Sequence, residues 1–155
     1  MQNINELKDA IGTTTVNFIL LSIATAGIYP ILWLYRCNPI IEKITNKKLT
    51  DSTFVIWLAV CVGLGRSLIG SGEEALDIIA GILTIASGVL YMVWAFKAKS
   101  AIEEFVLTEH KIDLRMNGFY TLLFTIYYIN YCINDLSESK RRQEILTGKS
   151  QHLQQ

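Results

Sequence analysis

The sequence predicts an all-α, polytopic integral membrane protein, and three observations lead there. The chain is 51% hydrophobic with a mean hydropathy of +0.33, and its apolar residues are gathered into four stretches where an ordinary soluble domain would spread them by amphipathic periodicity. The charges lie almost wholly between those stretches. Finally, a segment is written twice: Gly27-Ile28, four residues, Trp33-x-Tyr35-Arg36, four residues, Ile41-Glu42 returns sixty-one positions later as Gly88-Val89, Trp94-x-Phe96-Lys97 and Ile102-Glu103 at the same spacing. Each copy sets an apolar run, a tryptophan, an aromatic and a base in the order expected where a helix leaves hydrocarbon for a charged membrane surface. A buried helical bundle in water is the competing reading, but soluble core helices are shorter and keep one polar stripe.

The elements follow in order. Thr14 to Tyr35 is long enough, at about 1.5 Å per residue, to cross a hydrocarbon layer roughly 30 Å thick. Ala24-Thr25-Ala26 has the small-x-small form of a signal-peptide cleavage site. The amino end pairs Lys8 with Glu6 and Asp9, and the apolar run continues past the cut, so an uncleaved span is expected. Inside it, Gly27 and Pro30 predict a kink, with Thr25 or a neighbouring helix taking the freed carbonyl. Such breaks host binding sites in transporters, although prolines in membrane helices are commonly structural. Asn38 before Pro39 reads as an N-cap with proline at the first helical position, so a separate interfacial helix is expected there, burying Ile40, Ile41 and Ile44.

Thr53 to Gly70 is the second span. Its Gly63, Gly65, Gly70 and Gly72 look superficially like a nucleotide loop, but no Lys-Ser or Lys-Thr follows and no strand precedes. Small residues here and at Ala80, Thr84 and Gly88 instead predict close helix approach. Arg66 is the one base inside a span, and pairing with Glu73, Glu74 or Asp77, or snorkelling, is the plain expectation. Leu76 to Phe96 is the third span, followed by a second interfacial helix with Ala101, Ile102, Phe105 and Val106 on its apolar face. Met116 to Leu136 is the fourth and least lipid-like, since Asn130 and Asn134 must face other helices or water and not lipid, Asn17 adding a third intramembrane amide in the first span. Its Ile126-Tyr127-x-x-x-Tyr131 echoes Ile28-Tyr29-x-x-x-Trp33, as a decayed third copy would. The expected organisation is thus one membrane domain over 1–155: a span, interfacial helix, span repeat at about 14–72, a second at about 76–136, and a polar tail at 137–155.

Orientation follows from the bases. Arg36, Lys43, Lys47, Lys48, Lys97, Lys99, Lys111 and Arg115 would share one face of a four-crossing chain, against Lys8, Lys140, Arg141, Arg142 and Lys149 on the other. Eight against five puts both termini outside by the positive-inside rule. The margin is thin, because a basic tail is ordinarily retained in the cytoplasm; re-entry of the last stretch would reconcile it.

The run Thr25-x-Gly27-Ile28-Tyr29-Pro30-x-x-Trp33-x-Tyr35-Arg36 resembles the signature of a bacterial membrane-protein family known as domain of unknown function 4234. The likeness covers most of the chain and is looser in the second copy, where Leu90 replaces the tyrosine and Ala86 the threonine. It implies an integral membrane protein of bacterial or archaeal type and brings no activity with it; the expected location is a bacterial inner membrane.

Chemistry is sparse. His110 and His152 stand alone in polar segments, no His-Glu-x-x-His or Gly-x-Ser-x-Gly occurs, and Cys37, Cys61 and Cys132 lack the spacing of a disulfide or metal site. Glu42 and Glu103 recur at the boundary of each copy, where pairing with Arg36, Lys97 or Lys99 explains them. No catalytic, cofactor or metal site is expected, and the zero net charge gives nucleic acid no footing. Two function classes remain: a non-catalytic membrane component acting through lipids, its own copies or a membrane-protein partner, and a small oligomeric carrier or channel.

Overall fold

The computed structural model describes residues 4–111 and 114–152, all-α and without a strand among them. Six helices follow one another: α1 (Ile4–Ile11), α2 (Thr15–Ala24), α3 (Tyr29–Thr45), α4 (Ser52–Leu68), α5 (Glu74–His110) and α6 (Gly118–His152). The tail expected to be polar continues α6 to His152, whose side chain, like residues 153–155, lies outside the described set.

The first apolar stretch is not a straight rod. Helix α2 stops at Ala24, Ala26 and Gly27 take left-handed φ values of 48° and 82°, and α3 begins with Pro30 in its first turn. Thr25 closes the break from both sides, its hydroxyl donating to the Leu21 carbonyl at 2.7 Å and accepting from the Tyr29 N–H at 2.9 Å. The kink read from Gly27 and Pro30 is therefore present, and it is a reversal. Phe18 and Trp33 would stand about 22 Å apart along a continuous helix, yet their ring centroids are 4.8 Å apart, and Phe18 also meets Tyr29 at 5.7 Å. So α2 and α3 form a hairpin with its tip at residues 25–28.

The last apolar stretch turns back in the same way. Thr125 interrupts α6 with φ 43° and ψ −117°. The Asn117 N–H reaches the Tyr128 hydroxyl at 3.0 Å, across a gap that a continuous helix would open to roughly 16 Å. Both stretches expected to be single spans are thus corrected to short helical hairpins. The reason is local backbone chemistry: glycine, proline and a positive φ interrupt helices that hydropathy alone reads as one. By contrast α5 runs unbroken for 37 residues, although it carries the second copy of the motif. Tyr91 stands where the first copy has Pro30, so nothing removes a backbone donor there.

A second correction concerns Asn38. It does not cap a new helix, since α3 continues through Pro39 to Thr45. Its side chain lies 7% exposed at the centre of a polar knot. The amide donates to Glu42 at 3.1 Å and to the Thr50 carbonyl at 3.0 Å, while its oxygen accepts from the Trp94 indole N–H at 2.8 Å and the Thr50 hydroxyl at 2.9 Å. With every bond satisfied, the knot fixes α3, α5 and the start of α4 together. The expected junction between a span and an interfacial helix is absent in α5 too.

The core gathers at this end of the bundle, called here the base: Trp33 meets Trp94 edge to face at 5.9 Å, with Leu34, Ile41, Leu58, Ala98 and Ile102 buried around them. α4 and α5 rise antiparallel from it and pack closely where glycine permits. A Cβ on Gly65 would meet the Thr84 hydroxyl at 3.3 Å and Leu83 Cβ at 3.4 Å, which bears out the small-residue reading there; at Gly88 nothing lies within 4 Å. Because the two hairpins reach only part-way up this pair, a notch remains above their tips.

Candidate functional site

The notch is a cleft of about 270 Å³ in which both helix breaks meet one cation. Gly27 and Pro30 come from the first hairpin, Thr125 and Tyr127 from the second, Thr84, Ser87 and Tyr91 from α5, and Arg66 from α4. Non-helical backbone at both tips thereby lines a cavity, the setting in which such breaks are tolerated.

Arg66 is placed by glycine. Its Nη2 would lie 2.5 Å from a Cβ on Gly27, so the guanidinium lies directly over bare backbone. The expected ion pair with Glu73, Glu74 or Asp77 is not formed: Asp77 instead accepts the Gly70 N–H at 2.9 Å. The ion pairs among the described residues are Lys47–Glu104, Lys48–Asp51, Lys99–Glu103 and Arg142–Glu138, all away from the cleft. Nor is Arg66 a cap for α2, whose Leu21, Ser22 and Ile23 carbonyls already take the N–H groups of Thr25, Gly27 and Ala26. No carboxylate lines the cleft, so beside the Gly27 backbone and apolar side chains the cation has only hydroxyls for polar side-chain company.

On the other side of Arg66 lies an apolar trough of about 550 Å³ between α3 and α4, formed by Ile28, Ile31, Leu32, Ala59, Val62 and Gly63. Arg66 and Val62 border both spaces. Spacing along the chain does not reveal this, because the hairpin reversal is what brings residues 27, 66, 87 and 125 together.

The remaining expected residues divide cleanly. Asn130 and Asn134 converge on the Thr13 carbonyl at 3.1 and 3.0 Å, which satisfies the buried amides and ties α6 to the start of α2. Asn17 points outward and is exposed. Tyr35 and Phe96 are exposed too, Arg36 approaches Gly12, and Lys97 donates to the Leu49 carbonyl at 3.0 Å. Glu42 is not an ion-pair partner for Arg36: it accepts the Leu49 and Thr50 N–H groups at 2.7 and 3.0 Å. Glu103 does pair with Lys99 and also takes the Met116 N–H at 2.6 Å. In both copies a position-four pair, Asn38 to Glu42 and Lys99 to Glu103, therefore ties down the segment that follows.

That substitution of lysine for asparagine explains an orphan. Trp94 donates to Asn38, whereas the Trp33 indole N–H is buried without a partner; sixty-one residues on from Asn38 stands Lys99, a donor with no acceptor to offer.

The profile of a family described as Domain of unknown function (DUF4234) matches residues 13–104. The chain belongs to that family. The matched segment runs from the start of the α2–α3 hairpin through α4 and most of α5, so it holds both motif copies, Arg66 and the trough, and leaves out α6. No curated protein and no solved structure matches the chain.

Proposed function

We propose that this chain is a non-catalytic integral membrane component that acts through lipid, with α4 and the first half of α5 as its two crossings and the two hairpins entering and leaving on one side. The observation that carries this reading is where the apolar surface lies. α5 is the one described helix long and apolar enough to span a bilayer, and only 17% of its most apolar window is buried, which no soluble core helix would tolerate. Ile23, Leu32, Ile56, Trp57 and Leu123 are likewise exposed on the other segments. α4, at 17 residues, is apolar and of crossing length at the short end of the range.

The charge pattern supports the same topology. If both hairpins return to the base, the base side holds both termini and every connection except the uncharged hairpin tip at 25–28 and the turn at 69–73. Of the 14 lysines and arginines, only Arg66 then falls beyond the base, and the opposite turn carries Glu73 and Glu74. The thin margin of the four-crossing count becomes a strong positive-inside bias, with both termini cytoplasmic.

Reporter fusions test this directly. Fusions at both ends and within residues 46–51 are expected to read cytoplasmic, and one within 69–73 to read external. An amino-terminal fusion that reads external restores four crossings. Purified protein in sealed liposomes is expected to pass no ions or small solutes; flux abolished by Arg66→Gln would make the protein a carrier or channel instead.

A further inference from the structure

We propose that Arg66 and the two spaces it borders form a binding site for one anionic phospholipid, its phosphate on the guanidinium in the cleft and an acyl chain in the α3–α4 trough. The identity of the ligand rests on the membrane reading above. Arg66 is an exposed cation on a helix that the membrane reading places in lipid, no carboxylate lines either space it borders, and a cation facing hydrocarbon without a counter-ion is costly. A guanidinium offers a planar fork of donors that matches phosphate oxygens two at a time. The Tyr91 and Thr125 hydroxyls in the same cleft are engaged in none of the hydrogen bonds among the described residues, which leaves further donors for the remaining oxygens.

The trough supplies the second half of the argument. It is apolar throughout, continuous with the cleft at Arg66 and Val62, and borders the exposed apolar surface. A free phosphate ester would fill the cleft and leave the trough empty. A zwitterionic lipid would fill the trough but bring its own cation to a site that already has one. A lipid with net negative charge satisfies both at once.

The experiment uses the full chain in nanodiscs of phosphatidylcholine with phosphatidylglycerol, with lipids retained after release counted by native mass spectrometry, and a parallel titration with glycerol 3-phosphate in detergent. Wild type is expected to retain phosphatidylglycerol over phosphatidylcholine, and Arg66→Gln to lose that preference by roughly tenfold or more. Gly63→Leu fills the trough without a clash, since nothing lies within 4 Å of a Cβ there. It is expected to weaken phosphatidylglycerol retention while leaving any glycerol 3-phosphate response unchanged. Should Arg66→Gln not fold, Gly63→Leu decides alone. The proposal is overturned if Gly63→Leu retains phosphatidylglycerol as wild type does, including the case where glycerol 3-phosphate binds tightly and the site serves a soluble ester. It is equally overturned if a folded Arg66→Gln keeps the preference. A failure of the membrane reading looks different: the protein stays in the supernatant of a detergent-free lysate after ultracentrifugation.

Discussion

The same substitution at the two recurring glycines is expected to change stability in opposite directions. Gly27 lies at the tip of the first hairpin with φ 82°, a conformation that an L side chain enters at a cost of about 1–2 kcal/mol. An added Cβ there would also press on the Arg66 guanidinium, 2.5 Å away. The guanidinium is the free end of a long side chain and swings aside, so the clash adds little to folding and instead moves the cation. Gly88 sits inside the unbroken α5 with a negative φ and open space around it. There alanine removes backbone freedom from the unfolded chain and stabilises by about 0.5–1 kcal/mol. The two variants should therefore differ by about 1.5–3 kcal/mol. The measurement is denaturant unfolding of each purified variant in the same micelle, followed by circular dichroism. Equal shifts, or a stabilised Gly27→Ala, would refute the hairpin and leave both copies as plain spans. A double-mutant cycle with Arg66→Ala separates the two effects at Gly27: the cost from φ persists without the guanidinium, and the part due to the clash vanishes.

Four further outcomes follow. Trp33→Phe and Trp94→Phe remove similar volume, but only the second breaks a hydrogen bond to Asn38, so Trp94→Phe should be the more costly by about 1–2 kcal/mol in the same unfolding assay. Asn38→Leu leaves the buried Trp94 N–H without its acceptor and takes a donor from Glu42; a loss of about 1–3 kcal/mol per stranded group is expected, read as a lowered midpoint. Gly65→Leu should force α4 from α5 and cost about 1–3 kcal/mol, whereas Gly63→Leu, over open space, should be close to neutral. His110 is held below its ordinary 6.5 by burial and by Lys140, so the folded state binds fewer protons than the unfolded chain. Stability is then full above pH 6.5 and falls as pH drops from there toward the folded-state value, and His110→Gln should flatten that slope.

Helix content, the break at Gly27 and Pro30, and the need of Asn130 and Asn134 to turn from lipid toward polar partners were all legible in the sequence, because each depends on residues close together in the chain. The hairpins were not. The largely apolar stretch from Thr14 to Tyr35 brings in the same total hydrophobic area whether it crosses once or enters and returns, and hydropathy counts only area. What separates the two is the pairing of Phe18 with Trp33 and of Asn117 with Tyr128, contacts that local pattern does not encode. The recurrence hid the distinction further. It suggested the same span and interfacial-helix layout for both copies, yet with Tyr91 where the first copy has Pro30 the second runs straight where the first reverses. Asn38 was misread for a related reason: before a proline its local chemistry favours an N-cap, and the tertiary acceptors and donors of Trp94 and Thr50 override that preference. One clue to the reversal lay in plain sight. A four-crossing chain places the bases Lys140, Arg141 and Arg142 opposite most of the others, and the proposed topology, with both hairpins returning to the base, removes that conflict and leaves Arg66 as the one cation beyond it. Under that topology a charge so placed must reach interfacial water or meet a partner outside the protein, which is why the cleft and the topology call for separate experiments although both arise from the same geometry.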